Sequence, residues 1–126
     1  MMLEHLKALC QLNGISGRED AVQQYIIKQL ETWKLSYQVD PLGNILVKKD
    51  GQKPAKTKLM ISAHMDEVGG IVTYVHEDGT LQFEPVGGIQ PSVVIGRQVV
   101  VGENPGLPAV VGTTPIHLLS AKRRTT

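Results

Sequence analysis

The 126-residue chain is long enough for one small domain or parts of two, and a hydrophobic content of 41% excludes an intrinsically disordered segment. Thirteen Lys and Arg nearly balance twelve Asp and Glu, leaving a net charge of +1. That balance argues against a nucleic-acid groove or an anionic membrane surface as the main partner. One Trp, three Tyr and one Phe leave the core to Val, Ile and Leu, and the single cysteine, Cys10, rules out an intrachain disulfide.

Leu3, Leu6, Leu9, Cys10 and Leu12 follow helical spacing, which predicts a short amphipathic helix over 2–12 with Cys10 in the core. Glu4 and His5 interrupt what a secretory signal would need as an apolar segment. No run approaches the roughly 20 apolar residues of a membrane span. The chain therefore reads as soluble and cytoplasmic. "NGISGRE" breaks the helix, and Ser16 with Glu19 has the spacing of a capping box for a second helix near 17–34. Ala21, Val22, Tyr25, Ile26, Leu30 and Trp33 form its apolar face. Ser16 does not match a nucleophile elbow, because Gly17 follows it directly.

After Trp33 the apolar period changes from helical to alternating. "LSYQVD" and "NILVKK" read as strands around the turn "PLGN", and "TKLMISA" as a third strand buried on both faces. From Gly69 onward, short strands dominate: a hairpin around Asp78-Gly79, then "GRQVVVG" and "LPAVVGTT" on either side of "ENPG". These signals predict an α/β layer over 1–69 followed by a small β-barrel-like domain over 70–126. The terminal "PIHLLSAKRRTT" reads as the start of a helix or an exposed loop, with Lys122, Arg123 and Arg124 as a solvated tail.

The segment "ISAHMDEVGG" carries the chemistry. A His-x-Asp at the carboxyl end of a strand, where α/β proteins usually place ligands, suits a metal site. One ring nitrogen of His64 would bind the metal, while Asp66 would raise the ring's basicity and fix its orientation. Spacing leaves a second reading open: a hydrogen-bonded pair that merely caps a loop, since catalytic zinc usually takes three protein ligands. His5, His76 and His117 do not complete a set and read as surface or structural residues. There is no phosphate-binding or dinucleotide-binding glycine motif, and Cys10 has no histidine partner nearby.

Several stretches, "LCQLNGISGREDAVQQYI", "VDPLGNILVKKDG", "KLMISAHMDEVGGIV" and "LQFEPVGGI", occur in an order that resembles the N-terminal part of the metallo-aminopeptidases of family forty-two. These are the glutamyl, leucyl and deblocking enzymes that form tetrahedral particles. "GRQVVV" and "PIHLL" fit as well, so the resemblance covers essentially the whole chain. It implies an α/β dinuclear-metal catalytic domain interrupted by a small β domain that mediates homo-oligomer contacts. It also implies a peptide substrate and two divalent ions, zinc or cobalt, with His64 as a ligand of one and Asp66 as a catalytic-site residue supporting that histidine. Glu67 follows the family pattern without a catalytic role.

Family members run well over twice this length, and their other ligands correspond to positions beyond residue 126. The chain alone is thus expected to be incomplete and inactive. Three other readings compete: a non-catalytic assembly module docking through the β segment, the endoglucanase label carried by some relatives, and a related dinuclear-zinc deacylase or carboxypeptidase. Glu67, Glu77 and Glu84 show no spacing that supports glycosidic cleavage.

Overall fold

The structure, a computed structural model, describes residues 2–53, 56–103 and 105–113. They fall into two compact units, Met1–Gly87 and Gly88–Thr126. The "PIHLL" and basic-tail readings lie outside the described residues.

In the first unit, α1 (Met2–Leu9) and α2 (Asp20–Thr32) precede a hairpin of β1 (Tyr37–Val39) and β2 (Ile45–Val47). Both helices are shorter than the spacing predicts. Cys10 lies past the end of α1 and is exposed, contrary to the expectation of a core residue. Helix α1 buries no residue of its own. It is fastened instead by His5, whose Nδ1 lies 2.8 Å from the Tyr25 hydroxyl and whose ring meets Trp33 edge-on at 5.6 Å.

Helix α2 supplies the buried apolar residues, Val22 and Leu30, which are on the predicted face. It ends in a Schellman motif: Leu35 N donates to Leu30 O and Lys34 N to Glu31 O, both at 2.9 Å. This closure puts Lys34 at φ 55°, in the left-handed region usually left to glycine.

The turn between β1 and β2 explains the "DPLGN" stretch in local terms. Asp40 Oδ1 accepts from the Leu42 and Asn44 amides, and Oδ2 accepts from Asn44 Nδ2. Gly43 takes φ 87° to close the loop, and its carbonyl accepts a 2.8 Å hydrogen bond from Gln23 Nε2 of α2. The hairpin is thereby tied to the helix, as it is again where the Tyr37 hydroxyl donates to Glu31 Oε1 at 3.1 Å.

Residues 57–63 are not a strand, contrary to the sequence expectation. Among the described residues no neighbour pairs with them, and an extended run without a ladder partner is not a strand. Leu59, Met60 and Ile61 stand 88%, 86% and 88% exposed. Burying three such side chains is worth about 5–9 kcal/mol, comparable with the whole stability of a domain. This unrealised burial marks the run as a surface made to be covered.

The unit closes with β3 (Gly69–Val75) and β4 (Leu81–Val86), antiparallel around Asp78-Gly79 as expected, with Gly79 at φ 83°. Gly70 leaves room for the Phe83 ring, which a Cβ there would meet at 2.7 Å. In the second unit, the one-turn helix α3 (Pro91–Val94) precedes β5 (Gln98–Val101) and β6 (Leu107–Val110), which pair antiparallel. The three described sheets are each two-stranded, so a closed barrel is not present among the described residues.

Candidate functional site

The segment 64–69 is anchored by the loop that separates the first two helices. Ile15 and Glu67 form a parallel bridge, in which Glu67 N donates to Gly14 O at 2.7 Å. Gly14 N returns a bond to Glu67 Oε1 at 3.2 Å. Gly14 is buried and has no spare room: a Cβ would lie 2.9 Å from Val22 Cγ2. Ile15 in turn occupies the space over Gly69, where a Cβ would meet its Cδ1 at 2.6 Å. The two glycine-bearing stretches are thus shaped to fit each other.

On this platform His64 and Asp66 come together. His64 Nδ1 lies 3.0 Å from Asp66 Oδ1 and 2.9 Å from the Asp66 carbonyl oxygen. A ring whose Nδ1–H donates to these oxygens keeps its lone pair on Nε2. Among the described residues Nε2 has no hydrogen-bond partner, and the His64 side chain is 85% exposed against 39% for Asp66. Chemically, the arrangement offers one oriented imidazole nitrogen able to bind a metal ion or a proton.

Ser16 enters this pair in a way that sequence reasoning missed. Its hydroxyl donates to Asp66 Oδ2. That bond, together with the His64 ring, holds the Asp66 carboxyl below the usual carboxylate range, against the opposing effect of partial burial. The expected capping box does not form. Helix α2 starts at Asp20 with no side-chain cap, and Glu19 Oε1 instead accepts from Gly17 N at 2.7 Å. The signal that could have been found was a serine flanked by residues complementary to the "HMDEVGG" stretch, but nothing local specifies that pairing.

The other histidines do not join the site. His5 is engaged with Tyr25 and Trp33, and His76 stacks edge-on with Tyr74 at 4.7 Å in the hairpin loop. His117 lies outside the described residues. Glu67 accepts a hydrogen bond from the Gly14 amide. Among the described residues no group of three or more His, Cys, Asp or Glu could hold a metal ion. No described helix is long and apolar enough to cross a membrane. The residues present therefore fit a metal site in kind, through one oriented imidazole, and not in number.

The overall fold is shared with the TET aminopeptidases. The TET aminopeptidase of Thaumarchaeota archaeon SCGC AB-539-E09 matches with a TM-score of 0.83 at 29% identity, over 98% of this chain and 34% of that one. A TET peptidase of Pyrococcus horikoshii, described as assembling into a tetrahedron or a large octahedral shell, matches with a TM-score of 0.77 at 38% identity. That match covers 100% of this chain and 37% of the other. The glutamyl aminopeptidase of Lactococcus lactis subsp. cremoris is 34% identical over 120 residues, 94% of this chain and 34% of the relative. The M42 glutamyl aminopeptidase family model matches residues 43–126. The chain belongs to the M42 glutamyl aminopeptidase family. It spans about a third of the length of the curated relatives it matches.

Proposed function

We propose that the chain is part of a metal-dependent aminopeptidase that removes N-terminal residues from peptides, with His64 as a ligand of one of two divalent ions, zinc or cobalt. The observation that carries this is His64 Nδ1 engaged by Asp66, with Nε2 lacking a hydrogen-bond partner among the described residues. Such a metal pair, when bound, would polarise the scissile carbonyl and lower the pKa of a water. His64 would hold one ion through Nε2, with Asp66 keeping the ring in the tautomer that allows it. Among the described residues no complete site is present, and the other ligands would come from outside them.

The chain is cytoplasmic in this reading, with the catalytic part over 1–69 and the small β domain over 70–126. Within this chain the hairpin over 69–86 stays with the first unit through the contact of Ile15 with Gly69. The β segment forms homo-oligomer contacts, a reading supported by the assembly of the Pyrococcus horikoshii relative. A second reading, an assembly module without catalysis, draws on the open edges of the two-stranded sheets. Co-purification with a longer aminopeptidase chain, without any contribution of His64 to activity, favours that reading.

The test is a zinc titration of the purified chain at millimolar metal, followed by histidine side-chain NMR and compared with His64→Ala. Zinc should perturb His64 through Nε2, and that response should vanish in the variant. Perturbation of His5 or His76 in place of His64 overturns the assignment. Metal-dependent release of amino acids from peptides by the 126-residue chain would show that it completes a site by itself.

A further inference from the structure

We infer that Ser16 is a positioning residue for His64, acting through Asp66 by holding the carboxylate so that the imidazole presents Nε2. The relevance to metal binding rests on the function proposed above; the positioning itself does not. The two oxygens of Asp66 have separate partners: Oδ2 accepts from Ser16 Oγ, and Oδ1 faces His64 Nδ1 at 3.0 Å. A carboxylate bonded through one oxygen alone can swing about its terminal torsion, which is broad and has no sharp staggered wells. Bonding of the second oxygen removes that freedom. The His64 side chain is 85% exposed, so among the described residues it is the Asp66 contacts that orient the ring.

The hydroxyl is itself held from both sides. Upstream, the Ile15–Glu67 bridge places residues 14–16 alongside 66–67. Downstream, Gly17 turns the chain at φ 86°, Arg18 N donates to Ile15 O at 2.8 Å, and Glu19 Oε1 accepts from Gly17 N. Ser16 caps no helix, so the hydroxyl's described partner is Asp66. A loop 50 residues away in sequence thereby acts on the tautomer of the histidine, alongside the Asp66 carbonyl oxygen 2.9 Å from Nδ1.

The test uses the full chain and reads the His64 tautomer from the nitrogen shifts of its ring at one fixed pH where the ring is neutral. Wild-type protein should show mainly the Nδ1–H form. Ser16→Ala should move the population toward the Nε2–H form favoured by free imidazole side chains. It should also weaken zinc binding about tenfold, the lower end for loss of an outer hydrogen bond to a metal ligand. Ser16→Thr keeps the hydroxyl and should restore both. Thermal unfolding of each variant checks that the fold persists, as an exposed side chain leads one to expect. An unchanged tautomer in Ser16→Ala, or a Ser16→Thr protein indistinguishable from the alanine variant, overturns the inference. A tautomer that responds in a wild-type chain whose His64 ignores zinc supports the positioning and overturns the metal assignment instead.

Discussion

Glu67 and Gly14 exchange two hydrogen bonds, one from each amide: Glu67 N to Gly14 O at 2.7 Å and Gly14 N to Glu67 Oε1 at 3.2 Å. This reciprocal pair locks the loop between the helices onto the segment carrying His64 and Asp66. Glu67→Ala should cost about 1 kcal/mol, the low end for a partly buried donor losing its acceptor, and Glu67→Gln should recover most of it. Gly14→Ala should cost more, about 1–3 kcal/mol, because the new methyl meets Val22. Denaturant unfolding of the three variants checks the order.

Lys34→Gly should stabilise the protein. Lys34 holds φ 55° at the end of α2 because the Schellman closure requires it. An L-residue there gives up about 1 kcal/mol relative to glycine, less what glycine loses by being freer when unfolded. A rise in unfolding midpoint is expected, while Lys34→Val, β-branched, should lower it.

Asp40 makes the β1–β2 turn sensitive to acid. The Asn44 side chain, then the Asn44 amide, hold its carboxyl below the ordinary value of 3.8. Its contribution is therefore complete above the unfolded value and is lost as pH falls through the lower folded value. Thermal unfolding between about pH 5 and pH 2 should fall less steeply in Asp40→Asn than in the wild type. Asp66 and Asp78, both also lowered, keep some acid dependence in the variant.

The exposed run Leu59, Met60 and Ile61 should drive self-association of the isolated chain. Ile61→Lys should reduce dye binding to apolar surface and shift sedimentation toward smaller species, with an unchanged far-ultraviolet circular dichroism spectrum. Equal association in the variant would place the adhesive surface elsewhere.

His5→Ala should loosen α1. It removes the partner of the Tyr25 hydroxyl and the ring packed on Trp33, which is the single tryptophan and hence a clean fluorescence probe. A loss of about 1 kcal/mol and a red-shifted emission are expected, and His5→Phe should recover the spectral part.

Features governed by neighbouring residues were legible in the sequence. Asp78-Gly79 makes its hairpin and Asp40 to Asn44 their turn because backbone sign and side-chain reach act over four or five residues. Val22 and Leu30 are buried where the helical period placed them. The apolar run at 57–63 reads as a strand in composition, yet a strand exists only when another segment pairs with it. Ser16 satisfied a local capping rule and does something else: α2 starts only at Asp20, and the Gly14–Glu67 pair brings Asp66 within reach of the serine hydroxyl.

The sequence by itself determined the existence of α1 and α2, the hairpins and the identity of the His64–Asp66 pair, since two residues are enough for an imidazole to meet a carboxylate. Tertiary structure alone decided which residue holds that pair and what remains uncovered. Both depend on contacts between segments some fifty residues apart. Such contacts are selected by complementary shape, a bare glycine beneath an isoleucine, which no local pattern of residue types encodes.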